Sequence, residues 1–215
     1  MFGYQYRQTR NYENLQRVMF AGVGPLGIPP LEPTPAPEGK PEWISFNFMR
    51  GDTEPEKHGL HFFRDDYQFI RLWDNPEAYT EKLRRYQAVC TPDFSLYTDF
   101  PLAVQQFNHF RKHWLGAYWQ MHGLQVIPTI CWSDTASFDW CFDGEPKNSC
   151  VAVSSVGTQN KEATRRGFLA GYRAMMERLT PTHIIFYGDV PPECEDDRPI
   201  MTVVPPFTSK WLGTV

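Results

Sequence analysis

Residues 124–134 (LQVIPTICWSD) carry the pattern that decides the fold: a short apolar run that ends in small and acidic residues. Three further segments repeat it, at 88–95 (AVCTPDFS), 150–158 (CVAVSSVGT) and 183–189 (HIIFYGD), and helical stretches alternate with them. Strands that alternate with helices form parallel sheets whose two faces are both buried. The repeat therefore predicts a parallel α/β fold.

Three weaker strand candidates and three helical stretches complete the predicted fold. The strands lie at 43–48 (WISFNF), 59–66 (GLHFFRDD) and 201–204 (MTVV), and the helices at 68–86, 102–122 and 161–179. A complete eight-stranded α/β barrel needs about 250 residues, more than the 215 of this chain. We therefore predict a mainly parallel sheet of six or seven strands with crossover helices, either an incomplete TIM-barrel-like arrangement or an open sheet.

The first 42 residues differ in composition from the rest of the chain. Residues 12–20 predict a short helix, and residues 21–42 (AGVGPLGIPPLEPTPAPEGKPE) are too rich in Pro and Gly for regular structure. We predict an N-terminal helix and a Pro/Gly-rich arm over residues 1–42. This arm would wrap the surface of a single α/β domain over residues 43–215.

Composition and charge exclude several classes of protein. With 41% hydrophobic residues, the chain is folded rather than disordered. It lacks an apolar run long enough to span a membrane and an N-terminal signal core, so we predict a cytoplasmic protein. Its net charge of −4 argues against duplex nucleic acid as a partner. Its five cysteines lack CxxC spacing and predict reduced, buried thiols.

Acidic residues gather at the predicted carboxyl ends of the strands, which is where parallel α/β sheets bind their ligands. These residues are Asp66, Asp93, Asp99, Asp134 and Asp189. We predict Asp93, Asp99 and Asp134 as catalytic residues, because two carboxylates can act as general acid and general base. If a divalent metal such as Mg²⁺ is bound, its predicted ligands are Asp93, Asp134 and Asp189. The alternative is that each Asp caps the helix or turn that follows it.

The segment 154–158 (SSVGT) predicts a phosphate-binding turn, because backbone N–H groups at a helix N-terminus can hold a phosphate. The Walker motif GxxxxGK[ST] and the GxSxG elbow are absent, and an ordinary strand–helix turn is the alternative.

Trp132 lies at the end of a predicted strand. An indole at this place can stack on a base or sugar, or it can simply cover the sheet. The predicted ligand-binding residues are Asp66, Ser95, Trp132, Ser133, Ser154, Ser155, Gly157, Thr158, Arg165 and Tyr187.

His109 and His113 lie four residues apart in the sequence HFRKH, within the predicted helix 102–122. This sequence lacks the glutamate of the HExxH motif and therefore does not predict a zinc protease. We expect His109 to lie at the edge of the apolar stripe of the helix.

Four segments follow one another in an order and spacing known from a protein family: IPTICWSD, SFDWCFDG, NSCVAVSSVGT and PTHIIFYG. Together with residues 27–33 (GIPPLEP), they make the chain resemble domain-of-unknown-function family 4417, which is found in bacteriophages and mobile elements. The resemblance covers roughly residues 25–190. It implies a phage or mobile-element accessory protein in the cytoplasm of the host bacterium, and it transfers no activity to this chain.

Two classes of function fit these observations. The first is an enzyme that acts on a nucleotide or another phosphate-bearing substrate at the carboxyl ends of the strands, with a divalent metal as a candidate cofactor. The second is a non-catalytic binding protein that sequesters a nucleotide signal or binds a host protein, as an anti-defence protein would. The predicted partner is accordingly a small phosphate-bearing ligand or a host protein.

Overall fold

A computed structural model describes residues 12–195 and 200–204 of the chain. Its strands and helices alternate along most of the sequence. The strands are β1 (Glu42–Ser45), β2 (His58–His61), β3 (Ala88–Cys90), β4 (Val126–Ile127), β5 (Cys150–Ser154), β6 (His183–Tyr187) and β7 (Ile200–Val204). The helices are α1 (Arg71–Asp74), α2 (Pro76–Leu83), α3 (Leu102–Met121) and α4 (Glu162–Leu179). None of these helices is long and apolar enough to cross a membrane.

The strands form two parallel sheets, which confirms the predicted α/β class. The larger sheet has the order β1-β2-β3-β4, and the smaller sheet has the order β5-β6-β7. Within the larger sheet Glu42 lies opposite His58, and within the smaller sheet Cys150 lies opposite His183. All the ladders are parallel, so the carboxyl ends of neighbouring strands lie on the same side.

The prediction of one sheet of six or seven strands is wrong, because the ladder is interrupted at Pro128. This residue directly follows β4 and has no N–H to donate, so β4 contains only two residues. The Pro128 carbonyl still accepts from the Ala152 N–H at 2.7 Å, and the Ala152 carbonyl accepts from the Ile130 N–H at 2.8 Å. An isolated parallel bridge between Thr129 and Ala152 therefore joins the two sheets at this edge.

Side chains of both sheets meet in one hydrophobic cluster. Leu60 and Val89 of the larger sheet belong to the same cluster as Cys150 and Ile185 of the smaller sheet. Alternate residues of the smaller sheet point the other way, where Val151 and its neighbours pack against the apolar face of α4. The smaller sheet is therefore buried on both faces, as a parallel sheet requires.

The N-terminal segment differs from its prediction in one respect. Residues 13–17 form turns and residues 18–20 are irregular instead of helical, since Glu13 and Asn14 have φ values of 49° and 62°, outside the right-handed helical region. The Pro/Gly-rich arm packs on the domain. Its Ile28 is fully buried, and its Thr34 carbonyl accepts from the Cys150 N–H at 2.7 Å. The arm thus borders the start of the smaller sheet.

Candidate functional site

A narrow cleft opens where β3, β4 and β5 end. It has a volume of about 90 Å³ and lies beside the first half of α4. Its walls are formed by Asp93, Ile130, Cys131, Trp132, Val153, Ser154, Thr158 and Phe168. The structure thus brings together four of the predicted site residues, namely Asp93, Trp132, Ser154 and Thr158. We refer to this space as the Asp93 cleft.

Asp93 is the acidic residue of the Asp93 cleft. Burial is the main reason why the pKa of its carboxyl group is raised to about 6. The Lys112 ammonium and a hydrogen bond from Cys131 oppose this rise, and the nearby Asp66 carboxylate adds to it. A carboxyl group with this pKa exchanges its proton close to neutral pH, which suits a general acid or base.

The turn at residues 154–158 is held by its own side chains. The Ser155 hydroxyl donates to the Asp189 carbonyl at 2.7 Å, and the Thr158 hydroxyl donates to the Ser155 carbonyl at 2.7 Å. The Ser154 hydroxyl oxygen accepts from the Val156 N–H at 3.2 Å. Gly157 has a φ of +79°, a conformation that favours glycine. The turn is therefore rigid, and it reaches the Asp93 cleft through Ser154 and Thr158.

Trp132 forms the wall of the cleft against α4. Its indole lies on Gly171, where an added Cβ would come within 2.1 Å of the ring. The indole also contacts the Phe168 ring, with the ring centroids 5.6 Å apart. Trp132 therefore covers the end of the sheet, which was one of the two predicted roles, and it also borders a cavity.

The other predicted acidic residues lie outside the cleft. Asp134 caps a short 3₁₀ turn by accepting from the N–H groups of Ala136 and Ser137 at 3.0 and 3.1 Å. Asp99 and Asp189 are exposed. Asp66 instead pairs with a second predicted residue, because the Ser95 hydroxyl donates to it at 2.8 Å.

The remaining predicted residues are also engaged elsewhere. Arg165 forms an ion pair with Glu193 at 2.6 Å, and it is not among the residues that line the Asp93 cleft. Tyr187 is buried, and its ring stacks on Phe63 with centroids 4.8 Å apart. The Ser133 N–H donates to the Ser137 hydroxyl at 3.1 Å, within the turn that Asp134 caps.

A cluster of buried charges lies close to the cleft, and the sequence did not predict it. Lys112 of α3 is fully buried, and its ammonium donates to Glu145 at 2.6 Å and to the Thr129 carbonyl at 2.9 Å. His113 lies 3.0 Å from the same Glu145 oxygen. Lys112 also lies 3.9 Å from the sulfur of Cys131, a residue of the Asp93 cleft. We call Lys112, His109, His113 and Glu145 the buried charge cluster.

Opposite charges stabilise the ionised forms of this cluster. Burial alone would lower the pKa of Lys112, but its neighbours, including Glu145, hold that pKa above the usual range. Burial alone would raise the pKa of Glu145, but Lys112 and His113 hold it below the usual range. Burial keeps the pKa of His109 well below its ordinary value, so this imidazole is neutral.

His109 and His113 are the part of this cluster that the sequence could have revealed, since histidines four residues apart share a helix face. His109 is 1% exposed, so it lies in the interior and not at the edge of the apolar stripe. Ligand atoms of His109, His113 and Glu145 lie within 4.8 Å of one another, and these three residues could hold a metal ion. Among the described residues, Asp93, Asp134 and Asp189 do not form such a group.

These observations define a parallel α/β protein with an acidic cleft at its strand ends and a buried charge cluster close to it. The chain belongs to the family described as "Domain of unknown function (DUF4417)", which matches residues 20–205. The resemblance noted in the sequence is thereby confirmed.

Two phage proteins are similar to the chain over most of its length. It is 38% identical over 203 residues to the "Gene 1 protein" of Mycobacterium phage L5, covering 91% of this chain and 87% of the relative. It is also 38% identical over 175 residues to the "Gene 1 protein" of Mycobacterium phage D29, covering 80% of this chain and 64% of the relative. No solved structure matches the chain significantly.

Proposed function

We propose that this protein is an enzyme that acts on a small phosphate-bearing substrate at the Asp93 cleft. The observation that carries the proposal is the placement of the Asp93 carboxylate in a cavity walled by Thr158 and Ser154. Asp93 would exchange a proton with the substrate, and the N-terminus of α4, which follows the turn, would attract the phosphate. Trp132 would exclude water from one side.

The size of the cleft limits what can enter it. Pockets that enclose drug-sized ligands measure roughly 300–1,000 Å³, whereas the Asp93 cleft measures about 90 Å³. Only the reacting end of a substrate would therefore enter, and the rest would lie outside. A Mg²⁺ ion in this cleft would take one protein carboxylate, Asp93, and complete its coordination with phosphate and water oxygens.

A second candidate function, non-catalytic nucleotide binding, is favoured by a separate cavity. This cavity, here called the basic pocket, measures about 440 Å³ and is lined by Phe46, Asn47, Met49, Arg50, Arg71, Tyr79, Lys82, Arg85 and Tyr86. Four of its lining residues are cationic, three are aromatic and none is acidic. Cations attract phosphates and aromatic rings stack on bases, so the pocket has the size and chemistry for a nucleotide.

Phosphorus NMR separates the two candidates in one experiment. The protein would be incubated with Mg²⁺ and, in turn, ATP, a cyclic dinucleotide, a sugar phosphate and inorganic phosphate. For an enzyme we expect new resonances from product with at least one of these compounds. Asp93→Asn should abolish the conversion, whereas Asp99→Asn should leave it unchanged, because Asp99 is exposed and outside the cleft.

Other outcomes have equally definite meanings. Line broadening without conversion, removed by Arg71→Gln together with Lys82→Gln, would favour nucleotide binding in the basic pocket over catalysis. Conversion that survives Asp93→Asn would contradict the role of Asp93. A spectrum unchanged with every compound would contradict both candidates. Binding of a host protein would then be the function to test.

A further inference from the structure

We infer that His109, His113 and Glu145 form a binding site for a divalent transition metal of the zinc type. Two imidazoles and one carboxylate are a common zinc ligand set. The three residues come from two separate segments, α3 and the loop after residue 142, and their ligand atoms lie within 4.8 Å of one another. This site is distinct from the Asp93 cleft and does not depend on the proposed function.

The hydrogen bonds of the two histidines orient them as metal ligands. His113 Nδ1 lies 2.9 Å from the Pro29 carbonyl, and His109 Nε2 lies 3.0 Å from the Asp143 carbonyl. A carbonyl only accepts, so each of these nitrogens carries the proton. The lone pair of the neutral His109 ring is therefore on Nδ1, and Nε2 is the nitrogen of His113 that is left for a metal. Histidines that bind metals have this arrangement, with the second nitrogen donating to a carbonyl or carboxylate.

Two buried acceptor atoms in this cluster have no hydrogen-bond partner. They are His109 Nδ1 and Glu145 Oε2. The side chain of Glu145 is fully buried and His109 is 1% exposed. Buried acceptors are nearly always satisfied by a donor or a cation. These two atoms and His113 Nε2 are the candidate ligand atoms of the site.

Lys112 engages only one of the two carboxylate oxygens of Glu145. Its ammonium donates to Oε1 at 2.6 Å, whereas Oε2 has no hydrogen-bond partner and is left for the metal. His113 Nε2 lies 3.0 Å from the same Oε1 atom. This contact involves one oxygen of the carboxylate, and neither of the two unpartnered atoms takes part in it.

A metal here would lie in the interior, because its three protein ligands are buried, and a water molecule would take the fourth tetrahedral position. Zinc–nitrogen bonds of about 2.0–2.1 Å place tetrahedral ligands about 3.3 Å apart, so the three side chains would draw together on binding. The packing around them is tight. A Cβ on Gly144 would lie 2.9 Å from both His113 Nδ1 and the Pro29 carbonyl. The metal would thus link α3, the loop after residue 142 and the N-terminal arm.

Metal analysis of the purified full chain tests this inference. Elemental analysis should find about one equivalent of zinc after dialysis without chelator. After removal of zinc, titration with Co²⁺ should give the visible absorption bands of a tetrahedral site, and Zn²⁺ should raise the melting temperature. His109→Gln should abolish the cobalt bands, while His122→Gln, directly after the same helix and outside the cluster, should retain them.

The result that would overturn the inference needs no variant. If the folded wild-type chain contains no zinc and shows no cobalt bands and no thermal shift with either metal, the cluster is held by protons alone. The Asp93→Asn variant keeps the metal readout separate from the proposed function. It should bind zinc as the wild type does even if it loses all activity.

Discussion

At the scale of the residue, Asp93 has a markedly different environment in the folded and unfolded states. The folded protein surrounds it with Cys131, the Lys112 ammonium and the Asp66 carboxylate, and its pKa is about 6 instead of 3.8. The folded state therefore binds a proton more tightly at this site than the unfolded state does. Ionised Asp93 opposes folding, a cost that proteins commonly accept at functional sites.

The pH dependence of stability tests this description of Asp93. Because its folded pKa is raised, its contribution to the free energy of unfolding should fall as pH rises from about 4 to 6. Asp93→Asn should remove this loss and stabilise the protein above pH 6 by about 1–3 kcal/mol. Urea unfolding at several pH values measures the effect. Destabilisation by Asp93→Asn at pH 7 would show that the carboxylate is structural.

At the scale of the element, α4 shows how a helix shapes the cleft. The helix packs Phe168, Tyr172 and Met175 against the smaller sheet. On the same helix, Gly171 lets the Trp132 indole approach the backbone, while an added Cβ on Gly167 would have nothing within 4 Å. A side chain would therefore clash at Gly171 and would have free space at Gly167, so packing requires glycine only at Gly171.

Alanine substitutions at the two glycines test this difference in packing. Gly171→Ala should force the Trp132 indole to move and cost about 1–3 kcal/mol. Gly167→Ala should stabilise the protein by up to about 1 kcal/mol, because alanine favours a helix and nothing obstructs the methyl group. The midpoints of urea unfolding would show both effects. Equal changes in the two variants would contradict the packing of Trp132 on α4.

At the scale of the whole molecule, the two sheets share one interior although their ladder is interrupted. His61 at the end of β2 lies between them, with its ring centroid 4.8 Å from that of Tyr187 of β6. Burial, together with the positive charge of Arg64, lowers the pKa of His61 to about 3. A neutral imidazole is therefore part of the core that joins the sheets.

This location predicts a loss of stability in acid. The folded pKa of His61 is depressed, so below about pH 6.5 the unfolded chain binds a proton that the folded chain rejects. The free energy of unfolding should thus fall as pH drops from 6.5 towards 3. His61→Gln should reduce this slope between pH 6 and 4 by up to about 1.4 kcal/mol per pH unit, and His122→Gln serves as the control. An unchanged slope would place His61 outside the core.

The local features of the fold were predictable from sequence to within a few residues. The strand at 183–187 and the helix at 102–121 lie almost where the apolar pattern placed them, because that pattern reports burial along one element. The strand ends were harder to predict. Residues 88–95 read as one strand, but the strand ends at Cys90 and Pro92 lies two positions beyond. Of the predicted acidic residues, only Asp93 enters the cleft.

The sequence alone determined the parallel α/β class, the alternation of strands and helices, and the end of the sheets where polar residues gather. These follow from periodicity and from the turn residues that come after each strand. Only the tertiary structure decided that Pro128 divides the strands between two sheets, that Asp134 caps a turn and that Arg165 pairs with Glu193. It also decided that Lys112 and His113 meet Glu145, more than thirty residues further along the chain. Contacts between residues so far apart in the sequence depend on how whole elements pack. Local periodicity describes the burial of a single element and carries no information about its packing partners.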